Sequence, residues 1–276
     1  MINNIQLFLT GIRLRNIIIA LVCCIIAVMK IDGFNHISAI FSIVAVMLLM
    51  IITNLSNDIL DIKTDTINRP DRPLITNPSI GIFFKIIVFM CSFLVLGVSF
   101  FINFWAQCIV VGSLPVLIFY SKLFKPVPLI GNIFVAFYLA FVFIFIEIAI
   151  TNSVELMIAP AIFAFGISLI REIIKDIEDY NGDKANGIKT LPVIIGIKSC
   201  IYVAIFFIIS FLFVCSLIML HSFYFYCVMA VFFLVFMPLF YLIFFLIKSP
   251  TSESCGEASA LIKKITILGL IIIYII

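Results

Sequence analysis

Two acidic segments of the chain combine the residue types and the spacing of a cation-binding site. Each segment has three aspartates in the pattern D-x-x-D-x-x-x-D, and the second copy follows the first by 118 residues. The six aspartates are Asp58, Asp61, Asp65, Asp176, Asp179 and Asp183. Spacings of three, four and seven place the carboxylates of one copy on one helical face. Carboxylates in that position repel one another unless protons or cations lie between them, so both segments indicate cation binding.

The ligand types favour magnesium. Oxygen ligands without a convergent His or Cys select Mg²⁺, with Mn²⁺ as a possible substitute. Mg²⁺ usually takes one or two carboxylates from a protein and completes its coordination with substrate phosphates. We therefore predict that the six aspartates hold metal and that the substrate carries phosphate.

Basic residues lie among the acids and suit a diphosphate. Arg69 and Arg72 follow the first triad, Arg171 and Lys175 come just before the second, and Lys189 follows it. Arginine offers a bidentate fork and lysine a point charge, and together they would neutralise a departing diphosphate. The alternative is that these residues only anchor the chain at a membrane surface.

The elements that carry these residues are apolar helices. Hydrophobic residues make up 65% of the chain and charged residues 11%, far from the composition of a water-soluble domain. Nine runs approach the roughly 20 apolar residues that a spanning helix needs. They are 16–31, 37–57, 80–101, 104–121, 129–151, 155–175, 198–219, 223–247 and 262–276. We therefore predict an all-α membrane protein, a bundle of nine transmembrane helices.

Basic residues are distributed unequally between the two sides of this bundle. Successive connections between the predicted helices lie on alternate sides of the membrane. With this assignment Lys30 falls on one side and the other Lys and Arg residues fall on the opposite side. Because cytoplasmic loops retain positive charge, the N-terminus and the acidic loops are predicted to be cytoplasmic, with the C-terminus on the outer side of the cell membrane. The net charge of +3 follows from this topology, so no nucleic-acid partner is expected.

Both acidic segments end a helix and continue into a basic loop that ends in proline, at 68–73 and 187–192. Four predicted helices separate the copies, so both should emerge on the same side of the membrane. We predict one domain over 1–276, built from two parallel pseudo-repeats, about 1–128 and 129–276, around a central cavity. A cavity with Mg²⁺ and diphosphate at its rim, in a chain with 31 Phe residues, suits an isoprenyl diphosphate.

The two segments match a known family. The run NDxxDxxxD at 57–65, followed by NRPxRP at 68–73, resembles the first signature of the UbiA superfamily of intramembrane prenyltransferases. The run RExxKDxxDxxGDK at 171–184 is similar to the second signature. Within the superfamily, the residues of this second run are most similar to those of the digeranylgeranylglyceryl phosphate synthases of archaeal lipid synthesis.

The resemblance implies Mg²⁺-dependent transfer of a geranylgeranyl group from geranylgeranyl diphosphate to the hydroxyl of geranylgeranylglyceryl phosphate, forming an ether. It assigns catalysis to Asn57, Lys175 and the six aspartates. The residues that it places at the substrates are Arg13, Asn16, Asn57, Arg69, Arg72, Tyr120, Lys122, Asn132, Arg171, Lys175 and Lys189. Asn132 has the alternative of a hydrogen bond between helices. Besides the prenyl donor and the lipid-phosphate acceptor, the partners are membrane lipids, and the oligomeric state is left open.

Two departures from the family pattern and two alternative functions remain. Leu14 stands where the family often has proline in an Arg-Pro-x-Asn element, and Ile59 and Leu60 replace aromatic residues that are usual in the first signature. The acceptor could be aromatic, as in quinone or chlorophyll-type pathways. Two acidic half-sites could also serve a divalent-cation transporter. Glu147 is expected to be solvated at the outer membrane interface.

Overall fold

The computed structural model describes residues 4–32, 35–125, 127–222 and 225–275, and every regular element in these ranges is helical. In chain order the helices are α1 (Asn4–Gly11), α2 (Leu14–Met29), α3 (His36–Leu60), α4 (Ile62–Asn68), α5 (Pro73–Thr76), α6 (Gly81–Ser99), α7 (Phe104–Leu123), α8 (Ile130–Thr151), α9 (Ile158–Glu178), α10 (Tyr180–Ala185), α11 (Leu191–Ile195), α12 (Ile197–Ser222), α13 (Phe225–Val231), α14 (Met237–Lys248) and α15 (Ser252–Ile275). A π-helical turn at Phe232–Phe236 joins α13 to α14. The predicted all-α class is confirmed for the described part.

Six helical segments are long and apolar enough to cross a membrane, and the bent pair α1–α2 would make a seventh. The six are His36–Leu60, Pro78–Ser99, Phe104–Leu123, Ile130–Thr151, Ile197–Leu220 and Val228–Lys248. The chain is therefore a multi-pass membrane protein. Each of the nine predicted runs overlaps a helix, but α9 and α15 carry several charged residues and are not among the six. The count of nine spans stays a prediction.

One compact unit comprises residues 1–125 and 142–158. In it α3 packs against α2, α6 and α7. Leu55 on α3 and Phe84 on α6 are fully buried in its core. A Cβ on Gly11, at the end of α1, would come within 2.5 Å of the Phe84 ring, so only glycine permits this approach. The contact holds the junction of α1 and α2 beside the C-terminal half of α3.

The other compact unit comprises residues 126–141 and 159–276. Ile170, Ile174 and Ile177 of α9 are spaced by three or four residues and are completely buried with residues of α12, α14 and α15. A Cβ on Gly166 of α9 would overlap the ring of Phe211 on α12. This close packing fixes the helix that leads into the second acidic segment.

Candidate active site

The first acidic segment continues its helical register through a break at Asp61. α3 ends at Leu60, and Asp61 adopts φ −95° and ψ 10° before α4 begins. The Asp61 N–H still donates to the Asn57 carbonyl at 2.8 Å, and the Asp65 N–H donates to the Asp61 carbonyl at 2.9 Å. Asn57, Asp61 and Asp65 therefore follow one another at intervals of one helical turn.

Asp58 is bound by two arginines from distant parts of the chain. Arg13 Nη2 lies 2.9 Å and Arg72 Nη1 lies 2.5 Å from the same oxygen, Oδ1. The Asp58 side chain is only 1% exposed, and its Oδ2 has no hydrogen-bond partner among the described residues. A buried carboxylate is tolerated only when its charge is compensated. The arginines supply that compensation on one oxygen, and the other oxygen is left to coordinate a cation.

The arginine that reaches Asp58 from the N-terminal side has an unusual backbone. Arg13 lies between α1 and α2 with φ 55° and ψ 57°, a left-handed conformation that costs a non-glycine residue about 1–2 kcal/mol. Two contacts with α3 hold it there: its own bond to Asp58, and the Asn54 amide, which donates to the Ile12 carbonyl at 2.8 Å. Sequence reasoning missed Asn54, because its partner lies 42 residues away.

Asp61 is contacted by a serine and a lysine near the end of α7. Lys125 Nζ lies 2.8 Å from Asp61 Oδ2, and the Ser121 hydroxyl lies 3.3 Å from the same oxygen. The Ser121 hydroxyl also donates to Asn57 Oδ1 at 2.9 Å. Sequence reasoning missed Ser121. Nothing in the local sequence indicates this contact, because Ser121 and Asn57 are 64 residues apart.

The charges of the first segment suit a cation. Burial raises the pKa of the Asp65 carboxyl; the Arg72 charge opposes this, and the negative charges of Asp61 and Asp58 add to it. Burial, together with the nearby Arg13 charge, lowers the pKa of the Arg72 guanidinium. Carboxylate oxygens, one of them buried and unpartnered, form a donor set that fits Mg²⁺. Within the described ranges no three Asp, Glu, His or Cys side chains are grouped closely enough to hold a metal ion as they stand.

The second acidic segment has the same local conformation as the first. α9 ends at Glu178, and Asp179 adopts φ −85° and ψ 3° before α10 begins. The Asp179 N–H donates to the Lys175 carbonyl at 2.9 Å, and the Asp183 N–H donates to the Asp179 carbonyl at 3.1 Å. These bonds correspond, residue for residue, to those of the first segment 118 positions earlier.

The correspondence continues past the acidic residues. Arg72 and Thr190, also 118 residues apart, are both extended, with ψ of 144° and 162°. A short helix with proline in its first turn follows each, at Pro73–Thr76 and Leu191–Ile195. The two segments therefore share a helix break, a helix of one to two turns, an extended residue and a proline-initiated turn.

Hydrogen bonds bring several predicted residues of the second segment together. Asn132 of α8 is buried, and its amide donates to Asp176 Oδ2 at 2.8 Å. Arg171 hydrogen-bonds the buried Glu172, and Lys175 Nζ lies 3.8 Å from the other oxygen of that carboxylate. Two basic residues predicted to bind diphosphate thus pair with Glu172. Asn132 makes the interhelical contact considered as its alternative role.

Asp183 is held by the cap of α10. Its side chain is almost fully buried, and its carbonyl accepts from the Ile188 N–H at 2.9 Å. The Gly187 N–H donates to the Lys184 carbonyl, and Gly187 has φ 68°. This pair of bonds is a Schellman cap, which needs a left-handed residue at the position of Gly187.

The remaining predicted substrate residues differ in exposure. Asn16, Arg69 and Tyr120 are half-buried, whereas Lys122 and Lys189 are exposed. Asn16 lies in the first turn of α2, where its N–H donates to the Arg13 carbonyl at 2.8 Å. The structure therefore brings together Arg13 and Arg72 with Asp58, and Asn132 with Asp176, among the residues named from the sequence.

The expectation for Glu147 is wrong. Glu147 is 1% exposed, and its carboxylate accepts from the backbone N–H groups of Glu155, Leu156 and Met157 at 2.9, 2.7 and 3.0 Å. These groups precede α9, where N–H groups lack partners within the helix. The carboxylate is thus a capping group for the connection from α8 to α9.

Several membrane-spanning helices with two matched acid-rich helix breaks define a polytopic membrane protein with a candidate cation site. The model of the UbiA prenyltransferase family matches residues 17–263, and the chain belongs to that family. The recognition made from the two signatures is confirmed.

Two curated relatives show how far the similarity extends. The "Digeranylgeranylglyceryl phosphate synthase" of Methanococcus aeolicus is 31% identical over 280 residues, covering 97% of this chain and 96% of that protein. The protein of the same name from Thermococcus kodakarensis is 34% identical over 157 residues, covering 56% of this chain. The chain spans 55%, or about half, of the length of that second relative.

Solved structures agree on the fold. A structure from work on digeranylgeranylglyceryl phosphate synthase in membranes superposes with a TM-score of 0.75 at 28% identity, covering 99% of this chain and 98% of that one. A UbiA homologue from Archaeoglobus fulgidus bound to DMAPP and Mg²⁺ superposes with a TM-score of 0.68 at 18% identity, covering 98% and 99%. The second likeness concerns the fold alone.

Proposed function

We propose that the chain transfers a geranylgeranyl group from geranylgeranyl diphosphate to the hydroxyl of geranylgeranylglyceryl phosphate, with Mg²⁺ as cofactor and Mn²⁺ as a possible substitute. The observation that carries the proposal is the pair of matched helix breaks at Asp61 and Asp179, in a chain that belongs to a prenyltransferase family. The names of the relatives support the choice of acceptor. The A. fulgidus homologue, bound to a prenyl diphosphate and Mg²⁺, supports the cofactor.

The aspartates of both segments would hold the metal. When bound, Mg²⁺ supplies positive charge that stabilises the departing diphosphate. Arg69, Arg72, Arg171, Lys175 and Lys189 would bind the diphosphate oxygens, and Asn57 would orient them. Arg72 also binds Asp58 at 2.5 Å, so it would connect the acidic segment with the leaving group.

The acceptor half of the reaction joins two substrates that each have an apolar chain and a phosphate group, through an ether oxygen. The allylic C–O bond to diphosphate breaks, the acceptor hydroxyl oxygen forms the new C–O bond, and the hydroxyl proton is released. Lys122 follows Ser121 on α7, Lys189 follows the second acidic segment in the chain, and both are exposed. Each is a candidate to bind the acceptor phosphate. Aromatic faces would stabilise positive charge on the allylic carbon.

The experiment is a direct choice between acceptors. Purified protein receives labelled geranylgeranyl diphosphate and Mg²⁺, with geranylgeranylglyceryl phosphate and aromatic acids offered in parallel. We expect the ether lipid and no labelled aromatic product. Product from an aromatic acid alone would contradict the lipid assignment and leave the prenyl transfer intact.

Membrane topology forms a second part of the proposal. Nine spans, with the N-terminus and both acidic segments in the cytoplasm, are supported by the helices at all nine predicted runs and by the asymmetry of Lys and Arg. A C-terminal alkaline phosphatase fusion should be active, because an odd number of spans places that end outside. An active cytoplasmic reporter at the same position would contradict the odd count.

The internal duplication is the third part. Its support is the offset of 118 residues that the helix break, the start of the short helix and the start of the proline-containing turn share. If the halves are duplicated, separately expressed fragments ending and starting near residues 128 and 129 should reassociate in the membrane. Fragments that degrade when coexpressed would count against a division of the chain at this point.

A further inference from the structure

Lys125 pairs with one carboxylate oxygen of Asp61, an aspartate that would hold the metal ion. Lys125 Nζ lies 2.8 Å from Asp61 Oδ2. We propose that Lys125 is an internal counter-ion, bound to Asp61 when no divalent cation is present and displaced from it when one binds. The proposal rests on the proposed function in one respect, namely that Asp61 is a cation ligand.

The exposure of the pair permits the exchange. The Lys125 side chain is 26% exposed and that of Asp61 is 18% exposed, so solvent reaches both. When the pair opens, water can therefore solvate each charge. Lys125 follows the C-terminal end of α7, and its ammonium sits on a stem with four rotatable carbons. An ammonium and a divalent cation at the same carboxylate repel each other strongly, so the two cations compete for Asp61.

The neighbouring aspartate has counter-ions of a different kind. Asp58 binds two planar guanidinium groups on Oδ1, and its side chain is 1% exposed. Removing either arginine would leave the buried carboxylate with a single partner, so these pairs suit a permanent role. Asp61, three residues later, has one flexible ammonium. The same segment thus has one aspartate with permanent counter-ions, Asp58, and one with an exchangeable counter-ion, Asp61.

Ser121 keeps the ligands in place during the exchange. Its hydroxyl is neutral, lies 2.9 Å from Asn57 Oδ1 and 3.3 Å from Asp61 Oδ2, and is almost fully buried. It can remain bonded to the Asn57 side chain when Lys125 leaves. Ser121 is therefore a positioning residue for Asn57 and Asp61.

The test measures cation binding without turnover. The full chain in detergent is titrated with Mn²⁺, and free Mn²⁺ is read by electron paramagnetic resonance, with and without inorganic diphosphate. Lys125→Gln should bind Mn²⁺ roughly two- to fivefold more tightly than wild type without diphosphate, the factor that a partly exposed ion pair is worth. Diphosphate should tighten Mn²⁺ binding more in wild type than in Lys125→Gln, because displaced Lys125 can then neutralise the diphosphate.

The matched control is Lys85→Gln. Lys85 is an exposed lysine of the same unit and makes no ion pair with a described residue. Its loss changes the net charge equally and should leave Mn²⁺ affinity unchanged. Lys125→Arg, which keeps the charge, should bind Mn²⁺ no more tightly than wild type, and an unaltered melting temperature would show that the variants are folded.

The outcomes separate the two proposals. If wild type binds Mn²⁺ and Lys125→Gln binds it equally well or more weakly, the counter-ion role is overturned and the cation site stays intact. Equal tightening by Lys85→Gln would overturn it as well, because the effect would then be one of net charge. Absence of Mn²⁺ binding in wild type, with and without diphosphate, would overturn both this inference and the proposed cofactor.

Discussion

Asp61 and Asp179 lie 118 residues apart and interrupt their helices with the same backbone conformation, φ −95° and ψ 10° at the first and φ −85° and ψ 3° at the second. Each keeps its N–H bonded to the carbonyl four residues before, at 2.8 and 2.9 Å. A helix that ends in this way still presents the next aspartate, one turn later, in helical register. The matched breaks make these two residues the most direct targets for testing the proposed chemistry.

Asp61→Asn and Asp179→Asn should each lower prenyl transfer by about 100-fold or more, because an amide keeps the shape of the carboxylate but loses its charge. Product formation by the purified variants checks this. Asp71→Asn is the matched control, since Asp71 is exposed, lies in the loop after the first segment and falls outside the repeated pattern. Near-normal transfer by either of the first two variants would contradict the metal role of the aspartates.

Arg72→Ala should destabilise the folded protein by about 1–3 kcal/mol, because it removes one of two partners from a buried carboxylate. Arg72→Lys should recover little of this loss, since a lysine cannot reproduce the geometry of the guanidinium. Thermal unfolding in detergent measures both. In the background of Asp58→Asn, the cost of Arg72→Ala should shrink, and strictly additive costs would show that the 2.5 Å contact is not energetically coupled.

The helix breaks and the proline turns were predictable because their determinants are local. Aspartates at helical spacing, followed by Arg-Pro or Leu-Pro, are visible within 20 residues of sequence. Sequence reasoning also identified Arg13 and Arg72, although it assigned them to substrate and the structure shows them on Asp58. The residue types were therefore informative, and their partners were not.

The contacts that sequence reasoning missed are those between distant segments. Ser121 reaches Asn57 across 64 residues and Asn54 reaches Ile12 across 42, and no periodicity reports such a pairing. Glu147 was misjudged for the same reason. A single acid near the end of an apolar run indicates an interface, whereas its burial depends on how the chain turns after α8.

Asp65→Asn should stabilise the protein in the absence of divalent cations. Burial raises the pKa of the Asp65 carboxyl, so the wild type loses stability as pH rises from the ordinary carboxyl pKa through the raised value. The variant lacks that loss. Melting in EDTA should show a higher midpoint for Asp65→Asn at neutral pH, with the gain shrinking as the pH is lowered to about 4. Transfer activity should fall in the same variant, and a lower melting midpoint at neutral pH would contradict the electrostatic argument.

Gly187→Ala should cost about 1 kcal/mol, because Gly187 has φ 68° in the Schellman cap that follows Asp183. Gly187→Asn should cost less, since asparagine tolerates the left-handed region. Gly112→Ala is the control: Gly112 is helical, and a Cβ added to it would meet no atom of the described residues within 4 Å. Equal melting temperatures for Gly187→Ala and Gly112→Ala would show that the cap does not limit stability.

Glu147→Gln should destabilise the chain by about 2–3 kcal/mol, since bonds to an ionised acceptor are stronger than bonds to a neutral amide. Three backbone donors, at Glu155, Leu156 and Met157, converge on the carboxylate, and a glutamine can accept from them through one oxygen only. Its NH₂ group would face a donor, so at least one N–H would be left unsatisfied in a buried position. Glu155→Gln is the matched control, because Glu155 lies in the same connection but is exposed. A melting temperature that falls equally in both variants would assign the effect to net charge, and a fall confined to Glu147→Gln would establish that the carboxylate caps the start of α9.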